Sequence, residues 1–136
     1  MKGAFKIVVA IACFVTGWAA DTALAHHAFA AEFDREKPVQ MTGRVTEMKW
    51  ANPHAWVYLD VEDETGAVVN WAFETRAANN LIRLGWRPDD LQVGTVLQVE
   101  GFQARNDTPT ASLAAATLPD GRKLFSGAPD SSERQE

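Results

Sequence analysis

The fold is decided by the stretch from residue 39 to residue 50, Val39-Gln40-Met41-Thr42-Gly43-Arg44-Val45-Thr46-Glu47-Met48-Lys49-Trp50. Apolar and polar residues alternate from Val39 to Val45, which predicts a strand with one buried face. The apolar positions then shift to Met48 and Trp50, and such a change of phase within one long strand indicates a β-bulge. We expect the accompanying bend at Gly43, because glycine in a strand often marks a bulge.

The same alternation continues along the chain. It predicts further strands over residues 55–61, 67–75, 95–102 and 110–118, and a short strand over residues 123–125. Residues 77–85 predict a short helix that ends at Gly85. This order of elements is that of the OB-fold. We therefore predict an all-β fold, a small five-stranded OB-like Greek-key barrel with one short helix between strands three and four; an open sandwich is the alternative. The residues expected to face the core are Val57, Leu59, Val69, Trp71, Phe73, Trp86, Leu97 and Val99.

The first 25 residues have the three parts of a secretory signal peptide. Lys2 and Lys6 precede an apolar run over residues 7–20, and the segment ends in Ala23-Leu24-Ala25. The run is shorter than the ~20 residues of a membrane-spanning helix. We predict cleavage after Ala25, export to the periplasm, and no membrane span in the mature chain. An uncleaved anchor and lipidation at Cys13 are the alternatives. The predicted parts of the mature chain are a segment over 26–38 that packs on the barrel, the barrel over 39–125, and a disordered tail over 126–136.

Charge and cysteine content exclude several classes of protein. The full chain has 136 residues, a net charge of −5 and one cysteine. Cleavage after Ala25 leaves 111 residues with 11 basic and 17 acidic side chains, a net charge of −6, and no cysteine. A surface of that sign argues against nucleic acid as a partner. Without cysteine, the mature chain forms neither a disulfide nor a thiolate zinc site.

Three stretches together resemble a known family. They are the segment His26-His27-Ala28-Phe29-Ala30-Ala31-Glu32-Phe33-Asp34, then Trp50-Ala51-Asn52-Pro53-His54-Ala55-Trp56, then Leu118-Pro119-Asp120-Gly121-Arg122-Lys123-Leu124-Phe125. The chain resembles small secreted bacterial proteins of the domain-of-unknown-function family 6152. The resemblance implies a periplasmic single-domain protein and supplies no catalytic residue, so function has to be argued from the side chains.

The three histidines suggest a metal site. Cleavage after Ala25 would give His26 a free α-amine beside its own imidazole and that of His27. His54 lies in the loop between the first two strands, one of the loops with which OB-folds contact ligands. Nitrogen ligands suit Cu(II), which stands at the top of the divalent affinity series. We therefore predict His26, His27 and His54 as ligands of copper or another divalent metal, with Cu(II) as the candidate cofactor. Glu32 and Asp34 are candidates to add a carboxylate, and a solvated N-terminus is the alternative.

The aromatic residues suggest a second kind of site. Trp56 and Tyr58 have the phase opposite to Val57 and Leu59, so they point away from the core. The outer face of strands two and three is where OB-folds bind oligomers. We predict Trp56, Tyr58 and the preceding loop residue Asn52 as ligand-binding residues. Coverage of this patch by residues 28–38 is the alternative.

No set of residues predicts catalysis. The sequence contains no Ser-His-Asp arrangement that can be argued, no HExxH motif and no phosphate-binding glycine loop. The outward phase of Glu74 and Glu100 predicts ordinary surface side chains. Three functions remain open: a non-catalytic module for an unidentified small ligand or protein partner, a copper-binding protein, and a structural accessory subunit.

Overall fold

The computed structural model describes residues 29–127. The chain divides into two compact units, Met1–Ala31 and Glu32–Glu136, and all described strands belong to the second. The predicted signal peptide, His26, His27 and residues 128–136 of the predicted tail lie outside the described residues. Within residues 29–127, no helix has the length and apolar character that crossing a membrane requires.

Six strands and two short helices follow one another in the second unit. Their bounds are β1 Phe33–Lys49, β2 Trp56–Glu62, β3 Val68–Glu74, α1 Ala78–Arg83, a 3-10 helix Pro88–Leu91, β4 Val96–Ala104, β5 Thr110–Thr117 and β6 Lys123–Phe125. Residues 29–32 are also helical. The strands lie within one or two residues of the predicted ranges, apart from the start of β1. The predicted all-β class is confirmed.

The strands form one sheet with a ring of pairings. The order is β3-β2-β1-β4-β5-β6, and all neighbours in that order are antiparallel. β3 also pairs in parallel with β5, through Ala72 with Thr110, Phe73 with Ala111 and Glu74 with Ser112. The pairings therefore lead from β1 through β2, β3, β5 and β4 back to β1.

The first strand differs from the prediction in its start and in the place of its irregularity. It begins at Phe33, which pairs with Ala104 of β4, and not at residue 39. The predicted bulge is present, but the register with β2 shifts between Val45 and Glu47, so the expected bend at Gly43 was misplaced. Gly43 serves another purpose, because a Cβ there would lie 2.9 Å from Cγ2 of Val61. Only glycine lets the two strands approach this closely.

The core lies between the inward faces of the strands and α1. Its large apolar side chains that are at most 1% exposed are Val45, Val57, Leu59, Phe73, Leu81, Trp86, Leu97, Val99 and Leu113. Trp71 packs against this cluster but is only partly buried, so its predicted core position is confirmed only in part. Val69 shares the face of Trp71 and Phe73 as predicted, but it is 38% exposed and does not belong to the buried core. Trp86 donates its indole N–H to the carbonyl of Phe125 at 2.9 Å.

Candidate functional site

The loop between β1 and β2 is anchored to the end of β3 by its backbone. Ala55 is buried and donates its N–H to the carbonyl of Arg76 at 3.1 Å. Its own carbonyl accepts hydrogen bonds from the N–H and the hydroxyl of Thr75, both at 2.9 Å. These bonds hold the residue before Ala55, which is His54, beside the last residue of β3, which is Glu74.

His54 and Glu74 form a close imidazole–carboxylate pair. The Nδ1 atom of His54 lies 2.5 Å from Oε1 of Glu74. The two side chains differ in exposure, since that of His54 is 53% exposed and that of Glu74 is 14% exposed. The carboxylate therefore anchors the pair and the imidazole faces solvent. A carboxylate on one ring nitrogen fixes the tautomer of an imidazole and turns the other nitrogen, Nε2, outward.

The environment of Glu74 corrects the prediction of an ordinary surface side chain. Partial burial raises the pKa of the Glu74 carboxyl above its usual value of 4.5. The neighbouring His54 acts in the opposite direction and lowers this pKa, while the nearby carboxyl of Glu32 raises it. The register sets Glu74 opposite Trp56 on β2 and opposite Ser112 on β5. Glu100, by contrast, is a surface residue as predicted, and it forms an ion pair with Lys123 at 2.7 Å.

Trp56 and Tyr58 lie side by side on the face of β2 that is opposite to the core. Their ring centroids are 6.5 Å apart and their planes differ by 26°. Both side chains are partly buried. Val57, which lies between them in sequence, and Leu59, which follows Tyr58, are fully buried. The ammonium of Lys49 lies over the Tyr58 ring, 5.1 Å from its centroid. The predicted outward direction of both aromatic rings is thus confirmed, and Trp56 lies next to the His54–Glu74 pair through its register with Glu74.

Polar side chains of β1 and β3 border these two rings. Glu47 and Lys49 on β1 pair in register with Tyr58 and Trp56, and they form a weak ion pair with an N–O distance of 3.8 Å. Farther along β2, the amide of Asn70 donates to a carboxylate oxygen of Asp60 at 2.8 Å. We refer to the surface formed by Lys49, His54, Trp56, Tyr58 and Glu74 as the β2 face.

The remaining predicted site residues are not gathered there by the structure. Asn52 is exposed in the same loop as His54. His26 and His27 lie outside the described residues, so their part in a metal site stays a prediction. Within residues 29–127, no group of three or more His, Asp or Glu side chains is arranged to hold a metal ion. Asp34 contacts Arg105 at 3.5 Å.

Comparison with known proteins agrees with the resemblance noted in the sequence. The chain matches the family of unknown function DUF6152 over residues 15–112, which is most of its length. The chain belongs to that family. Comparison with curated proteins and with solved structures gave no match.

Proposed function

We propose that this member of family DUF6152 is an exported periplasmic binding module, not an enzyme, and that its ligand binds on the β2 face. The scaffold in this proposal is a small OB-like barrel. The ring of pairings β1-β2-β3-β5-β4 supports that assignment, as does the helix α1 between β3 and β4. The signal-peptide pattern of residues 1–25 supports export with cleavage after Ala25.

One observation carries the binding proposal, namely the pair of partly exposed aromatic rings on a strand face away from the core. The core has its own large side chains and does not need these two rings. Folded proteins seldom leave neighbouring large aromatic rings on the surface without a partner, and such patches mark binding sites. Trp and Tyr also combine a large apolar surface with a polar tip, which suits contact with a partly polar ligand.

Removal of the Trp56 ring tests this proposal directly. Uncharged oligosaccharides and polyproline peptides are titrated into the wild type and into Trp56→Ala, and binding is followed by calorimetry. We expect at least one of these probes to bind the wild type, and its affinity to fall by about fivefold or more in Trp56→Ala. The proposal is wrong if every probe that binds does so equally well to both proteins.

A matched control separates the site from a general effect of losing an aromatic ring. Phe125 is 53% exposed and lies on β6, which is not adjacent to β2 in the sheet. Phe125→Ala is expected to bind as the wild type does. Circular dichroism and thermal unfolding check that each variant folds, and Trp56→Leu replaces Trp56→Ala if the smaller side chain prevents folding.

A second candidate function, Cu(II) binding, is favoured by the pairing of His54 with Glu74. Imidazoles that bind metals commonly donate their other ring N–H to a carboxylate. Within the described part of the chain no hydrogen bond occupies Nε2 of His54, so that nitrogen is open to a metal ion. We propose that His26 and His27 supply the remaining nitrogen ligands, as the sequence predicts. Titration of the mature form and of a form extended by one alanine with Cu(II) tests this, since equal affinities would exclude a role for the N-terminal amine.

A further inference from the structure

The charged side chains on and beside the β2 face are of both signs. Lys49 lies near Glu47 at 3.8 Å, and Glu74 lies against His54 at 2.5 Å. A strongly charged ligand of either sign would therefore meet a like charge as well as an opposite one. Because bringing like charges together and desolvating charged groups both cost free energy, this face suits a ligand that carries no net charge.

The backbone around the β2 face is fully engaged. β2 pairs with β1 along one edge and with β3 along the other. A peptide that binds by adding a strand needs a free edge, which β2 does not offer. Recognition on this face therefore depends on side chains alone, with a flat apolar surface at Trp56 and hydrogen-bonding groups beside it.

His54 supplies a hydrogen-bonding atom that suits a hydroxyl group. With Nδ1 directed at Glu74, only Nε2 is left for a ligand. This nitrogen accepts a hydrogen bond when the imidazole is neutral and donates one when it is protonated. A hydroxyl group can meet either state, because it both donates and accepts.

We propose that the β2 face binds a neutral oligosaccharide, with one sugar ring stacked on Trp56 and a hydroxyl hydrogen-bonded to Nε2 of His54. This inference rests on the proposed binding function and names its ligand class. OB-folds bind oligonucleotides or oligosaccharides on this part of the barrel. The mixed charges of the face and the net negative charge of the chain disfavour the former. The ammonium of Lys49 already lies over the Tyr58 ring, so Tyr58 borders the sugar site and does not stack on the sugar.

The test uses defined oligomers and the mature full-length chain. The uncharged probes are cellohexaose, maltohexaose and the hexamer of N-acetylglucosamine. The charged probes are the hexamers of galacturonic acid and of glucosamine, and a polyproline hexapeptide represents peptides. We expect an uncharged sugar to bind most tightly, and its affinity to stay constant as ionic strength rises from about 0.01 M to about 1 M, a range that removes most surface electrostatics. Trp56→Leu should weaken this binding about tenfold, and His54→Ala about two- to tenfold.

The outcomes separate the ligand class from the site. If a charged hexamer or the peptide binds more tightly than the uncharged sugars, and Trp56→Leu abolishes that binding, the sugar proposal is wrong. The proposed binding function then still holds. Failure of all three uncharged sugars to bind at millimolar concentration also overturns the sugar proposal. If Trp56→Leu binds the sugar with the same affinity as the reference variant Phe125→Ala, the proposed function itself is contradicted.

Discussion

Substitution of Gly101 by alanine should destabilise the ring of strands that carries the β2 face. A Cβ at residue 101 would lie 2.2 Å from the carbonyl oxygen of Ser112 and 3.1 Å from its carbonyl carbon. Both atoms belong to the backbone of β5, so no side-chain rotation relieves the clash. Ser112 also pairs with Glu74, and this pairing belongs to the short contact between β3 and β5 that completes the ring.

The size of the effect follows from the geometry of that contact. Overpacking a filled interior costs about 1–3 kcal/mol, and a clash with backbone belongs at the upper end of that range. For a unit of this size, a loss of about 3 kcal/mol lowers the midpoint of thermal unfolding by about 12–24 °C.

Thermal unfolding followed by circular dichroism measures the loss, and Gly43→Ala provides the comparison. At residue 43 the nearest contact is 2.9 Å to a side-chain atom, Cγ2 of Val61, with backbone and Cβ contacts at 3.0 Å. Gly43→Ala should therefore cost less than Gly101→Ala, and Val61→Ala should recover part of its loss. Ser112→Gly should recover nothing in Gly101→Ala. A midpoint for Gly101→Ala that equals the wild type would refute the described approach of β4 and β5.

Two further predictions concern Glu74 and Trp86. Because burial raises the folded-state pKa of Glu74 above 4.5, the stability that its protonated form contributes is fully present below pH 4.5 and is lost as pH rises through the raised pKa. The melting temperature of the wild type minus that of Glu74→Gln should therefore fall from about pH 4 to about pH 7, and a constant difference would contradict the raised pKa. Trp86→Phe should lose about 2 kcal/mol, because it leaves the carbonyl of Phe125 without its indole donor and opens a void in the core. Chemical denaturation measures this loss, and Trp71→Phe, at a partly buried ring, should lose less.

The strands and most of the core were predictable because alternation reports directly which side of a strand is buried. The bulge in β1 was also visible in the sequence, since the apolar phase changes after Val45. The position of the bulge was not predictable, because glycine is required both at bulges and where two strands approach closely. Gly43 lies at a close approach of two strands. Residues 33–38 were missed as strand because the charged run from Asp34 to Lys37 interrupts the alternation. Only Phe33 and Pro38 of this stretch have partners on β4, and the register shifts between them.

The candidate site was predictable only in part. The outward direction of Trp56 and Tyr58 follows from period two, and His54 follows from its place in the loop. Glu74 was missed because outward phase on a strand was equated with exposure. Its place beside Trp56 follows from the pairing of β2 with β3, and its contact with His54 depends on the anchoring of Ala55 by Thr75. The hairpin register, fixed by the turn at residues 63–66, was the one sequence signal that could have placed Glu74 opposite Trp56.

The most direct test of a ligand site on the β2 face is the indole N–H signal of Trp56 in a nuclear magnetic resonance titration. Residues 26–136 contain four tryptophans, and substitution of each one assigns its indole N–H signal. On titration with the uncharged hexasaccharides, we expect a large shift of the Trp56 signal and little change in that of the fully buried Trp86. Saturable binding of a hexasaccharide without a change in the chemical shift of the Trp56 indole N–H would contradict a ligand site on the β2 face.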